Sequence, residues 1–475
     1  MLMSKFIPDW VEQVAAENSY RSLFKWGEPD QYKHPNAGLY ALMKETFELT
    51  DEDFQSPSRT GFESLDQHVA VSMSPQVCQI FADIVGPENI SQATYQRVRC
   101  SYGAGMIDAL RLRQQILEHL PDLVVAPRSS AEIEKIVAYC NQHAVPVYVF
   151  GGGSSVTRGM EAVHGGISLD LNRHMNQVVA FNETDQTITV QAGMSGPDLE
   201  AVLNDAPGKL GAQRKYTCGH FPQSFMHSSV GGWVVTRGAG QNSTYYGKVE
   251  DLVLSQTYVT SRGTLVTPAY ARCATGPDFN QLMMGSEGTF GILTEVTLKL
   301  HRYMPENTTR FSYLFRSWEE GLKATRSIMQ GEFGLPSVYR LSDPEETDVA
   351  MRMYHIHGTP ADTVLKALNY QPGKRCILLG SCDGQHSFTR LVNRKIRQIA
   401  SHYGAFNLSP FRVTQMWEKS RFRDPYLRED LMDFGILIDT LECAVTWDQL
   451  PEVHQKVRTF VKSRPQTICM THLSH

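Results

Sequence analysis

At 475 residues, with 41% hydrophobic and 20% charged side chains, the chain is long enough for two or three domains with substantial cores and has the composition of a soluble globular protein. A formal net charge of -5 argues against a nucleic-acid footprint. Nine cysteines scattered from Cys78 to Cys469 without a CxxC pair point to reduced, mostly buried thiols and away from a disulfide framework or a zinc site.

Residues 1–10 lack a charged stretch leading into an apolar core, and no apolar run reaches about 18 residues, which makes the cytoplasm the expected address. Residues 1–115 read as a mostly helical extension packed on the main body, with a turn-rich part at 57–61 and a helix over 107–119. From residue 121 strands and helices alternate. Residues 123–126 form a short buried strand, and Ser129 with Glu132 makes a capping box. Ile133, Ile136, Val137 and Cys140 then fall at helical spacing. A strand over 145–150 runs into Gly151, Gly152 and Gly153. Strands are predicted at 167–171, at 187–192, where Ile188, Val190 and Ala192 alternate with polar residues, at 252–260 and at 291–300, with a helix over 198–204.

After residue 300 a second α+β unit begins. Phe311, Tyr313 and Phe315 alternate as a strand, and Ser317 with Glu320 caps a helix running to about residue 330. Strands follow at 337–341 and 376–380. Val392, Ile396 and Ile399 mark a helix that Gly404 ends, and 468–475 reads as a core strand. The chain thus divides into an extension (1–115), a glycine-rich α+β domain (116–302) and a second α+β domain (303–475).

Three glycine-rich segments, 147–156, 218–240 and 285–293, carry the chemistry. A strand entering Gly151, Gly152 and Gly153 suits a backbone nest for a diphosphate, and the other two segments have small residues and hydroxyls where an extended ligand would lie. Rival motifs are incomplete. Neither Gly103-Ala104-Gly105 nor the triple glycine completes GxGxxG, GxxxxGK[ST] and HExxH are absent, and Gly285-Ser286-Glu287-Gly288 is not GxSxG. The pairs His355/His357 and His472/His475 read as ordinary histidines, since no ligand set accompanies them.

In this order the three segments resemble the FAD-binding domain of flavoproteins of the vanillyl-alcohol oxidase and p-cresol methylhydroxylase type, and within them the alkyldihydroxyacetonephosphate synthase family. The resemblance runs from Phe24-Lys25-Trp26-Gly27 to the last residue and is densest over 121–300. It implies an α+β architecture in which a two-subdomain FAD domain precedes a substrate-capping domain. It also implies non-covalent FAD: no histidine adjoins 147–156, although His220 and His227 are close in sequence to the second segment.

The resemblance assigns cofactor contacts by position. Val149, Phe150, Gly151, Gly152, Gly153, Ser154 and Ser155 would hold the pyrophosphate. Gln223, Ser224, Phe225, Met226, His227, Ser228 and Ser229, with Thr236, Arg237, Gly238 and Ala239, would run along the ribityl chain and ring. Glu287, Gly288, Thr289, Phe290, Gly291, Ile292 and Leu293 would add backbone contacts. Arg428, ahead of Asp439-Thr440-Leu441-Glu442, matches an arginine that binds the substrate phosphate, as a guanidinium fork suits; seen alone, it reads as a surface arginine paired with Glu429 or Asp424. Arg340 matches a second required arginine and calls for a ligand or a buried carboxylate such as Asp343.

The implied reaction is redox-neutral. Acyl-dihydroxyacetone phosphate exchanges its acyl group for a fatty alcohol through an adduct on flavin N5, giving an ether lipid precursor. Such a lipid substrate would favour peripheral membrane contact, and a homodimer is compatible with the sequence. The family's catalytic tyrosine and histidine cluster would lie beyond His475, so the expectation is a fragment of a longer protein. An FAD-dependent oxidoreductase of a 2-hydroxy acid or alcohol remains an alternative. So does a non-catalytic FAD-binding protein, should the chain end at His475.

Overall fold

The computed structural model describes residues 13–27, 30–57 and 59–474; the stretch 1–10 and His475, with its part in the His472/His475 pair, lie outside the described residues. Two sheets build the glycine-rich domain. The first has the order Ile90–Ser91, Leu123–Val125, Ile167–Asp170, Val147–Phe150, and its last three strands are parallel. Parallel strands require a crossover, and helix Ser130–His143 carries the chain from Leu123–Val125 past the central strand to Val147–Phe150, with Ser129 accepting from the Glu132 N–H at 3.3 Å at its start.

The second sheet is antiparallel, in the order Val178–Asn182, Thr187–Gln191, Ile292–Lys299, Val253–Thr260, Gly263–Val266. Ile133, Leu169, Val190, Leu199 and Leu298 belong to one continuous core that joins the two sheets. That core fixes the strand ends from which the glycine-rich segments leave.

The third sheet, in the order Phe406–Asn407, Thr309–Phe315, Cys376–Cys382, Val338–Ser342, His472–Ser474, forms the second domain. Helices Trp318–Met329 and His386–His402 cover one face through Ala324, Ile328, Val392 and Ile396. Trp417 packs on Val338 and Leu379. With both faces covered, Phe311 to Phe315 are all buried, so the inferred alternation at 311, 313 and 315 does not separate core from solvent. The strand expected over 468–475 is shorter, His472–Ser474, and lies at the sheet edge against Arg340, Leu341 and Ser342.

Seven cysteines are buried, while Cys273 and Cys443 are exposed. The helix inferred over 107–119 is Met106–Arg113. Beyond it Gln115 turns left-handed at φ 58, and the Tyr102 hydroxyl donates to the Ile116 carbonyl and accepts from the Glu118 N–H, which holds a turn where the helix would have continued.

The extension packs specifically on helix Leu427–Asp433 of the second domain. Tyr20, Phe24 and Leu112 share a cluster with Met432, and Leu39, Met43 and Phe54 share another with Leu431 and Phe434. At the centre Asp433 takes both Nη atoms of Arg21, at 2.9 and 3.0 Å, and Nη2 of Arg113 at 2.7 Å, with all three side chains buried. Removing one member of a buried ionic group leaves the others without compensation. Asp433→Ala should therefore destabilise the protein by about 3–5 kcal/mol, read from denaturant unfolding, and should make the extension a site of limited proteolysis. An unchanged unfolding midpoint would refute this.

Candidate active site

The fold brings the three glycine-rich segments together by backbone contact. A Cβ built on Gly151 would stand 2.3 Å from Ser229 Oγ, and one on Gly152 would stand 1.9 Å from the His227 carbonyl oxygen; only glycine permits that approach. The third segment joins the second through Gly285 N–H to the Val234 carbonyl and Glu287 N–H to the Val235 carbonyl, both at 3.2 Å. Arg237 reinforces this join, with Nε on the Met284 carbonyl and Nη2 on the Gln281 carbonyl. Arg158, Arg237 and Glu287 all adopt left-handed φ, at 61°, 51° and 48°. Such conformations are costly for non-glycine residues and gather at functional sites.

Several side chains assigned to cofactor contact also hold the frame. Phe150 is buried with the Arg99 guanidinium 4.7 Å from its ring. Phe225 is buried, stacked on Trp233 at 6.4 Å. Ser228 Oγ accepts from Trp233 Nε1 at 2.7 Å, and Ser229 Oγ caps helix Val230–Val235. Thr236 and Thr289 donate to the Gly232 and Ser286 carbonyls, and Ile292 and Leu293 open a buried strand. Val149, Gly151, Gly152, Gly153, Ser154 and Ser155 remain half-buried, while Gln223, Met226 and Phe290 are exposed.

These residues fit an FAD. A Cβ on Gly238 would meet nothing closer than 3.6 Å, and one on Gly288 nothing closer than 3.7 Å. Gly238 is thus in ordinary contact with Trp233 and His220, whereas Gly288, next to Val149 alone, leaves its backbone more room for close approach of a ligand. One element outside the segments supports the loop. The Ala104 N–H donates to the Ser155 carbonyl at 2.8 Å, and a Cβ on Gly103 would sit 2.2 Å from that oxygen. Gly103-Ala104-Gly105 thus belongs to the site without forming a GxGxxG motif.

The capping domain contributes cations. Arg428 lies in helix Leu427–Asp433; its Nη2 donates to Glu429 Oε1 at 3.3 Å, its Nε is buried without an acceptor among the described residues, and its guanidinium stands 5.3 Å from the Trp26 ring. Trp26 in turn meets the His227 ring edge-on at 5.7 Å. The extension, read from sequence as carrying no chemistry, thus connects Arg428 to the second glycine-rich segment. Of the two partners expected for Arg428, Glu429 is observed, and Asp424 pairs with Lys33.

Arg340 pairs with Glu346, whereas Asp343 caps helix Pro344–Met353 and takes Arg458 at 3.0 Å. Burial would raise the Glu346 carboxyl, but Arg340 and His472 outweigh it and hold it near about 2. His355 meets Asn36 at 3.2 Å, an ordinary histidine contact. Residues 439–442 are irregular and exposed.

Gly152→Ala should strongly reduce flavin absorbance per purified polypeptide, because neither backbone can yield at 1.9 Å; full FAD content would refute the role of the close approach. Burial pushes the Glu429 carboxyl up from 4.5 to about 7, against Arg428 and Lys25. The folded state therefore binds its proton more tightly than the unfolded chain, and this group's contribution makes stability fall as pH rises from 4.5 to about 7. Glu429→Gln should flatten that slope in melting measurements, and an unaltered pH profile would contradict the assignment.

Comparison with known proteins supports FAD as the cofactor. Residues 121–268 match the FAD binding domain family and residues 304–475 the C-terminal domain of FAD-linked oxidases. The chain is 29% identical over 406 residues to alkyldihydroxyacetonephosphate synthase of Dictyostelium discoideum, covering 82% of this chain and 64% of the relative. It is 28% identical over 410 residues to that of Caenorhabditis elegans, covering 81% and 65%. The chain thus spans slightly less than two thirds of the length of these relatives. A solved structure of an alkyldihydroxyacetonephosphate synthase superposes with a TM-score of 0.80 at 25% identity, covering 98% of this chain and 91% of that one. With an FAD binding domain and an FAD-linked oxidase C-terminal domain in succession, the chain is an FAD-binding flavoprotein, similar over most of its length to the alkyldihydroxyacetonephosphate synthases.

Proposed function

We propose that this flavoprotein exchanges the acyl group of acyl-dihydroxyacetone phosphate for a fatty alcohol, as an alkylglycerone-phosphate synthase. The observation that carries this reading is Arg428, a guanidinium with one long bond to Glu429, an unpartnered Nε and an aromatic brace tying it to the flavin segment. A cation so weakly answered is poised to take a phosphate. In the exchange an ester C–O bond gives way to an ether C–O bond, and the fatty acid leaves with the displaced oxygen and the alcohol's proton.

FAD, when bound, supplies an electrophilic ring, and because the exchange is redox-neutral no external acceptor is consumed. The protein's own residues bind and orient. The backbones of Gly151 to Gly153, Gly238 and Gly288 hold the cofactor, Arg428 grips the phosphate, and Arg340, neutralised by Glu346, holds the strand edge beside the turn at Asp424. The cofactor is held without a covalent tether in this reading, since His220 is buried against Trp233 at 4.9 Å and His227 faces Trp26. Tyr339 is a core residue: it is fully buried, donates to Thr325 Oγ1 at 2.8 Å, and burial pushes its hydroxyl well above the usual range.

Titration of the FAD-loaded protein with dihydroxyacetone phosphate tests the reading. Arg428→Lys keeps the charge but loses the fork, and should weaken binding by about tenfold or more while the flavin spectrum stays normal. Arg340→Ala should lower acyl exchange, with a thermal melt to measure lost stability. Unchanged affinity in Arg428→Lys, or bleaching of the flavin by lactate or glycolate, would overturn the synthase reading, the latter in favour of a hydroxy-acid dehydrogenase.

A further inference from the structure

Arg421, at the C-terminal end of helix Val413–Ser420, stands where the capping domain meets the FAD domain. Its Nη1 donates to Asn242 Oδ1 at 2.9 Å, just beyond the Thr236 to Ala239 stretch. Its guanidinium carbon is 5.4 Å from the Phe221 ring, 4.6 Å from Phe422 and 5.8 Å from Trp417. Phe221 and Phe422 pack on Phe225 at 5.0 and 5.2 Å. The arginine therefore sits in an aromatic wall that continues into the second glycine-rich segment.

Among the described residues no carboxylate forms an ion pair with Arg421. Burial pushes its guanidinium down to about 10, and Glu418 and Asp383 offset this only in part, from a distance. Asn242 occupies one Nη. The opposite edge, Nε with Nη2, has no acceptor among the described residues and is not sealed from solvent. Arg421, Phe221 and Phe422 are all half-buried, so this edge and these rings keep contact with solvent where the two domains meet.

The free edge offers two parallel N–H donors, the geometry that a carboxylate accepts side-on. What sets Arg421 apart from Arg428 is the pair of phenyl rings beside it, against which an alkyl chain gains from leaving water. The exchange proposed above releases a fatty acid for each ether formed. We propose, resting on that reading, that Arg421 binds the carboxylate of the fatty acid, with Phe221 and Phe422 receiving the first part of its chain. The second domain thereby offers two anion positions: Arg428 for the phosphate and Arg421 for the carboxylate.

Calorimetric titration of the FAD-loaded protein with decanoate, decanol and dihydroxyacetone phosphate tests this. The wild type should prefer decanoate to decanol. Arg421→Met should bind decanoate about tenfold more weakly or worse with decanol and dihydroxyacetone phosphate unaffected, and Arg421→Lys should recover part of the loss. Equal decanoate affinity in Arg421→Met overturns the proposal. So does a parallel loss of all three ligands, which marks a structural residue, or a larger loss of dihydroxyacetone phosphate, which assigns Arg421 to the phosphate. Should Arg421→Met not retain FAD, Arg421→Lys decides: weakened decanoate with intact dihydroxyacetone phosphate binding supports the site, and unaltered decanoate binding removes it. Selective decanoate binding in a wild type that ignores dihydroxyacetone phosphate would keep the carboxylate site and reject the synthase reading.

Discussion

The arrangement depends on one short helix, Leu427–Asp433, that buries three carboxylates, Glu429, Asp430 and Asp433. Charges taken out of water are tolerated only where cations or hydrogen bonds answer them, and the answers come from the N-terminal extension. Arg21 and Arg113 meet Asp433, His34 meets Asp430 at 3.0 Å, and Lys25 acts on Glu429. This electrostatic demand draws residues more than 300 positions away onto the capping domain. It also sets Trp26 between Arg428 and His227. The helix thus binds the extension and, through it, fixes the cation offered to the groove.

The second constraint is backbone proximity. Gly151 and Gly152 lie so close to His227 and Ser229 that no side chain fits between them. The parallel sheet that delivers the first segment is thereby locked to the helix Ser229 caps, and Gly285 and Glu287 bind the third segment to the same helix. A groove made this way is lined by peptide groups, and its hydroxyls are largely committed to capping or to neighbouring carbonyls. Such a lining suits a large cofactor recognised along its length and leaves reaction specificity to the capping domain.

Local signals were legible in the sequence and long-range pairings were not. The Ser129 and Ser317 caps, the alternation around Ile188 and Val190, and the glycine-rich segments each depend on a few neighbouring residues and are found where expected. The strand Val178–Asn182 escaped because Val178, Val179 and Ala180 do not alternate and the strand is half exposed. The partner of Arg340 was misjudged because Asp343 is nearest in sequence, yet its carboxylate is spent on the cap of Pro344–Met353 and on Arg458, leaving Glu346, one turn into that helix, to face the guanidinium. The extension read as inert because nothing local marks Trp26 or Lys25 as neighbours of residues near 428. Arg421 gave no signal either, since its missing counter-ion is visible only once the domains are assembled.

Three arginines of the capping domain differ in how fully they are answered, and the difference sorts their roles. Arg340 is matched by an ionised, half-buried Glu346. Arg428 has a long bond to Glu429, a carboxyl whose burial raises it to about 7 and so weakens it as a counter-ion near neutrality. Arg421 has only the neutral Asn242. An unanswered cation at a domain interface costs stability, and a fold retains such a cost where a ligand repays it. A simple dehydrogenation of a small hydroxy acid presents one anion, whereas acyl-for-alkyl exchange on a phosphorylated substrate presents two, a phosphate that stays and a carboxylate that leaves. Two under-compensated guanidiniums, one beside the Trp26 brace and one in an aromatic wall, fit the second case better than the first.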